Sequence, residues 1–211
     1  MKQILFFITT VLLFLTVSCT KVEQRISFDG EHYEMAFTYV FDSRWMSENF
    51  KTDTDEIREL LLSSLAESPE EIEYEMINDG NELGFSFKLG ENMEGMTEED
   101  WKKIGPQKED GVLTIPFFYS GVILAMLMSD SDEIPVDDLL PELEEMHADR
   151  SLSVYVDKTV IQTAASAELL GTGETEPAAL SVSDTGESFR IDVPMNLLLN
   201  LQPYDRIVVR E

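Results

Sequence analysis

The residues able to do covalent or metal chemistry are few: one cysteine, Cys19, and two histidines, His32 and His147, in a chain with 42 acidic residues. A thiolate serves as nucleophile or soft ligand, an imidazole as base or ligand, and paired carboxylates as acid and base. One cysteine and two histidines cannot build a four-ligand zinc site. A single cysteine cannot close an internal disulfide either. His32 follows a hairpin turn on the polar face of its strand. His147 stands at a helix end among acids, where the helix dipole favours a cation. No Gly-x-Ser-x-Gly elbow occurs. Gly171-Thr172-Gly173-Glu174 lacks the lysine and hydroxyl of a phosphate loop.

The carboxylates are numerous but not arranged as a site. Asp130, Asp132, Glu133, Asp137 and Asp138 place five acids in nine residues. A calcium loop would need glycine where Pro135 stands and an oxygen ligand where Ile134 stands. The run reads as a helix N-terminus capped by Ser131 or Asp132, and Asp53 to Glu56 reads the same way. No metal and no cofactor is expected. An envelope hydrolase built on carboxylates is the alternative function class, since no pair stands out but acids abound. Trp45 and Trp101 are expected in core or rim packing.

Cys19 has a different context. Lys2 is followed by an apolar stretch from Ile4 to Val17, too short for a membrane span of about 20 residues and suited to a signal peptide. The stretch ends Leu15-Thr16-Val17-Ser18-Cys19, which resembles the lipobox of bacterial lipoproteins. Residues 1–18 are then a signal peptide that is removed. The resemblance implies that the Cys19 thiol carries diacylglycerol and that the new amino terminus is acylated, by palmitate or a similar chain. The usual box has leucine three places before the cysteine; here Thr16 stands there and Leu15 is one place earlier. Thr20 is not the aspartate that retains such proteins at the inner membrane in the enterobacterial version, so the resemblance implies the outer membrane. Thr20 to Gln24 holds one acid, short of the acidic run that sends some lipoproteins to the cell surface.

Removal of the signal would leave 14 basic residues (15 less Lys2) against 42 acids, a net charge of −28. Nucleic acid is excluded as a partner, because phosphate binding needs basic patches. Peripheral docking on anionic headgroups is disfavoured for the same reason. The expected partners are the membrane, through the N-terminal lipid, and a protein of the envelope.

The elements that would present these residues read mainly as hairpins. Val22, Ile26 and Phe28 alternate with Glu23, Arg25 and Ser27, and Asp29-Gly30 predicts a type I′ turn. Tyr33, Met35, Phe37, Tyr39 and Phe41 form a strong apolar face on the return strand. Asp53 caps a predicted helix with Ile57, Leu60, Leu61 and Leu65 on one face, ended by Ser68-Pro69. Ile72, Tyr74 and Met76 alternate with Glu71, Glu73 and Glu75; Asp79-Gly80 turns; Leu83, Phe85, Phe87 and Leu89 return. This order of lipobox, hairpin at Asp29-Gly30, helix, and hairpin at Asp79-Gly80 returning through Gly84 and Phe85 to Leu89 resembles LppM-type bacterial lipoproteins over the first half. That resemblance implies an envelope lipoprotein of α+β fold and brings no catalytic residues.

Further on, Thr97 to Asp100 opens a short helix containing Trp101, closed at Gly105-Pro106. The run from Val112 to Met128 is uncharged over 17 residues; Pro116, Ser120 and Gly121 divide it into a strand, Val112 to Ile115, and a buried helix, Tyr119 to Met128. Pro135 to Met146 reads as an amphipathic helix. Strands are predicted at 152–156, 160–167, 180–183, 188–193 and 205–210, a loop at 171–177, a hairpin at Asp184 to Glu187, and a short helix at 194–201. Residues 19–211 are expected to form an α+β domain, either undivided or in two lobes (about 20–107 and 108–211). Its antiparallel sheet of hairpins would be packed by helices on one face.

Overall fold

In the computed structural model, the residues described are 19–44, 55, 59, 74–93, 95–117, 151–171, 176–194, 197 and 204–211. Among them are eleven strands and a short helix. The strands are β1 (Cys19–Phe28), β2 (Tyr33–Asp42), β3 (Tyr74–Asp79), β4 (Glu82–Gly90), β5 (Gln107–Glu109), β6 (Val112–Pro116), β7 (Ser151–Asp157), β8 (Ser166–Gly171), β9 (Ala178–Asp184), β10 (Ser188–Pro194) and β11 (Tyr204–Arg210). The helix, α1 (Glu98–Ile104), lies between β4 and β5. All strands join one sheet in the order β3-β4-β2-β1-β7-β10-β9-β8-β11-β6-β5. Every described pairing is antiparallel except that of β1 with β7.

The expected α+β class is therefore corrected: the fold is predominantly β. Alternation along a strand identifies its dry face and says nothing of what covers it. Here the sheet supplies much of its own cover by curling. Six strand steps separate β7 from β5, roughly 29 Å in a flat sheet at about 4.8 Å per step. Yet the Lys108 ammonium of β5 donates to the carbonyl of Val160, three residues past β7, at 2.9 Å. Lys108 sits opposite Leu113, a core residue, so the curl is toward the apolar face. One hydrophobic cluster runs from Val22, Phe37 and Phe87 through Val154 and Ile191 to Leu113 and Val209. Of the predicted helix after Asp53, Asp55 and Glu59 are described; both are helical and exposed. The predicted helices at 119–128 and 135–146 lie outside the described residues.

The aromatic faces of β2 and β4 meet as their alternation requires. Phe37 lies opposite Phe87 and Tyr39 opposite Phe85, with ring centroids 5.0 and 5.3 Å apart. Gly84 has a packing role between them: a Cβ there would overlap the Tyr39 carbonyl oxygen. Tyr74, expected inward, is 40% exposed, because β3 has no strand beyond it among the described residues. The other end strand among the described residues, β5, has three residues, all exposed, and so short an edge discourages pairing with another chain. Trp101 is buried, as expected, and Gly105 lies against its indole ring where a Cβ would not fit. Thr97 caps α1 by accepting from the Asp100 amide at 3.1 Å.

The three Asp-Gly pairs behave differently. Asp110-Gly111 is the two-residue turn with positive φ at both positions, 48° and 76°, the type I′ pattern. It joins β5 to β6 and was not anticipated. At Asp79-Gly80 the turn residues are Gly80 and Asn81, with positive φ at Gly80 alone. At Asp29-Gly30 the predicted type I′ turn does not form. Phe28 pairs with Tyr33, leaving a four-residue loop, because the Asp29 carboxylate accepts from the amides of Glu31 and His32, both at 2.8 Å. The strand predicted at 160–167 is also displaced: 158–165 is a loop and β8 starts at Ser166. Val160 and Ile161 are both buried, which consecutive residues of a one-sided strand cannot be.

Gln24 shares the dry face with Val22 and Ile26 and is 2% exposed. Its amide donates to the Met35 thioether at 3.6 Å, a weak acceptor for a buried carboxamide. Gln24→Met should therefore leave stability unchanged or raise it by about 1 kcal/mol in urea denaturation; a loss above that size would mean the amide has a strong partner. Phe87→Ala should cost about 3–5 kcal/mol, against about 0.5 kcal/mol or less for exposed Glu75→Ala. Equal losses would show the pleat to be reversed.

Candidate functional site

Two features of the sheet are candidates: the end at which Cys19 lies and the polar face of the central strands. β1 begins at Cys19, whose backbone pairs with Phe41 of β2. The ladder slips one residue at Thr20 and is regular from Lys21 to Phe28. Lys21 pairs with Glu23 at 3.0 Å. Because β1 lies between β2 and β7, Cys19 opens an interior strand of the sheet.

On the polar face, register builds two rows across strands that are far apart in sequence. Glu23, Ser153, Asp192 and Ser181 form one row, and Arg25, Tyr155, Arg190 and Ser183 the next. The Arg25 guanidinium lies over the Tyr155 ring at 5.4 Å and pairs with Asp157 at 2.6 Å. Arg190 donates to Asp192 at 2.8 Å, and the Ser153 hydroxyl donates to the same carboxylate oxygen at 2.9 Å. That bond to Asp192 holds the Arg190 guanidinium more firmly protonated than usual. Two arginines flanking a tyrosine make a surface for stacking and hydrogen bonding, and its charges are compensated from within.

The remaining resolved shifts go the same way. The Asp184 carboxylate is held below its usual range by the Lys158 ammonium and the Gly186 amide. The amides of His32 and Glu31 lower Asp29, and Lys102 lowers Glu98 while being raised by it. Glu211 is lowered by Lys108 and by the Gln162 amide. Each of these shifts favours the charged form. A general acid needs the opposite, a carboxyl pushed up by burial.

His32 lies at the expected hairpin, with Nδ1 3.9 Å from a Glu91 carboxylate oxygen. Among the described residues no group of three or more His, Cys, Asp or Glu is placed to hold a metal. No helix among them is long and apolar enough to cross a membrane. His147, Trp45, the acidic run at Asp130 to Asp138 and Gly173 lie outside the described residues. The rows around Tyr155 escaped the sequence reading; alternation gives the face of each strand, but not that β7 lies beside β1. The chain matches no family model, no curated protein and no solved structure.

The Glu211 carboxylate ties Lys108 of β5 to the Gln162 amide, at 3.1 and 3.4 Å. Its folded pKa is depressed, so its contribution is present above the ordinary value of 4.5 and lost as pH falls through the lowered one. Glu211→Ala should melt below the parent chain at neutral pH, with the gap closing as pH drops below about 4.5. Melting curves at a series of pH values test this; a gap that widens in acid would reverse the sign.

Proposed function

We propose that this chain is a bacterial envelope lipoprotein, held at the outer membrane by lipid on Cys19 and acting as a non-enzymatic binding or scaffolding module for another envelope protein. The observation that carries the reading is the junction at Cys19: an apolar run ends on the only cysteine, and strand β1 begins on it. Acyl chains hold such a protein by roughly 0.8 kcal/mol per buried methylene, and two chains suffice for stable anchoring. A binding role is supported by the polar face, where ion pairs and hydrogen bonds join side chains of β1, β7 and β10.

Cys19→Ala tests the anchor. In cells fed a radioactive fatty acid, the parent chain should take up label and sediment with membranes. The variant should be unlabelled, and either released or retained as an uncut precursor. Equal label in both chains would sink the assignment.

A further inference from the structure

We infer that the row of Arg25, Tyr155 and Arg190 on the polar face binds an uncharged glycan chain lying across β1, β7 and β10. This goes beyond the reading above by giving the face a ligand of its own, and it does not rest on lipid at Cys19. The first ground is local charge. The whole chain carries −27, but the polar face of these strands is balanced. Lys21 is paired with Glu23, Arg25 with Asp157 and Arg190 with Asp192. An anionic ligand is repelled by the acidic chain around such a patch, and a cation is drawn more strongly to the unmatched carboxylates elsewhere. An uncharged polar ligand is subject to neither effect. It needs donors and acceptors side by side.

The patch supplies both. Arg190 reaches Asp192 through Nε and Arg25 reaches Asp157 through Nη1, so each guanidinium keeps further N–H donors beyond that bond. The two side chains are 41% and 48% exposed. Half-buried Tyr155 stands between them with a hydroxyl that donates or accepts, and exposed Ser183 continues the row. In the adjoining row Glu23 and Asp192 accept, and exposed Ser181 does either. Register sets the spacing at about 4.8 Å between strands and roughly 7 Å between rows. Sugar hydroxyls both donate and accept, so a glycan uses mixed rows that a singly charged ligand cannot. The groups lie along a sheet face and not around a pocket, which suits several linked rings better than one small molecule. A protein fits this row less well, because protein interfaces centre on apolar and aromatic side chains. Among the described residues the exposed large apolar side chain is Tyr74, on β3 and away from the row. Arg25, Tyr155 and Arg190 lie within three residues of Phe28, Asp157 and Ser188, where their strands meet the Asp29 to His32 loop, the 158–165 loop and the Asp184 to Glu187 hairpin.

The test uses the purified full chain in a detergent without a sugar headgroup. It is applied to an array of soluble glycans, some built of neutral hexoses and N-acetylhexosamines and others bearing uronate or sulfate. The parent chain should be retained by neutral glycans and not by charged ones. Tyr155→Ala should weaken that retention about ten-fold. Arg190→Lys keeps a cation beside Asp192 but removes the guanidinium nitrogens, and it should weaken retention similarly. Lys102→Ala, on α1, should change nothing. Melting curves of each variant show that the fold is kept. Retention by no neutral glycan, retention by charged glycans alone, or equal retention of parent, Tyr155→Ala and Arg190→Lys overturns the inference. None of these results touches the anchor, which the fatty-acid labelling of Cys19→Ala decides separately, and a chain that takes no glycan leaves the face to a protein partner.

Discussion

The pairing of β1 with β7 is the contact on which the remaining arrangement depends. β1 has a local partner in β2, joined by a four-residue loop; β7 arrives from beyond residue 150 and runs parallel to it, through Glu23 to Ile26 against Ser153 to Val156. A parallel neighbour cannot be made by a hairpin. Without this seam, the order β3-β4-β2-β1 and the order from β7 to β5 would be two sheets, each with a raw edge through the middle of the core. What holds the seam is apolar: Ile26, Val154 and Val156 have no exposed surface. The long separation adds little, since closure entropy grows only with the logarithm of loop length.

That non-local seam also marks the limit of what the sequence makes legible. Hairpins and their faces are local, so Phe37, Tyr39, Phe85 and Phe87 are readable as one apolar surface from alternation alone. The cap at Thr97 and the burial of Trp101 are equally local. Strand order is not, and neither is the curl that carries Lys108 of β5 back to Val160. Lacking these, a one-sided sheet invites helices as its cover, and the α+β reading follows. The misread turns have a different cause. Asp-Gly suits a type I′ turn, but an aspartate can instead bond the amides that follow it. Asp29 does so, and Asp110 does not have to, because its neighbours Glu109 and Val112 already pair. Of the candidate site, Cys19 is legible from its position after an apolar run. Tyr155 between Arg25 and Arg190 is legible only once β1 and β10 are known to flank β7.

Charge shapes the surface in a way composition alone does not reveal. Most cations among the described residues have an acidic partner: Lys21, Arg25, Lys88, Lys102, Lys103, Lys108, Lys158, Arg190 and Arg210 each lie within 2.5–3.2 Å of a carboxylate. Exposed pairs of this kind add little stability, often under about 1 kcal/mol each. Their larger effect is on the field. With the cations held against acids, the net charge of −27 is displayed as an excess of unmatched carboxylates. A molecule approaching this surface is steered if basic and repelled if acidic, the more so at low salt.

The same charge bears on the proposed anchor, and magnitudes decide the outcome. An acidic fold held at a negatively charged leaflet is pushed away, by an amount on the order of 1 kcal/mol for each charge close to the surface. A few carboxylates close to the surface set the scale at a few kcal/mol before screening by salt. A single acyl chain contributes roughly 0.8 kcal/mol per buried methylene, so two chains exceed this repulsion many times over. Repulsion then does not detach such a protein. Acting on such a fold, it works against close approach to the surface, because that would bring more carboxylates within a Debye length of about 8–10 Å. A lipid on Cys19, the first residue of an interior strand, would thus retain an acidic fold at the membrane while charge keeps that fold from lying against the surface.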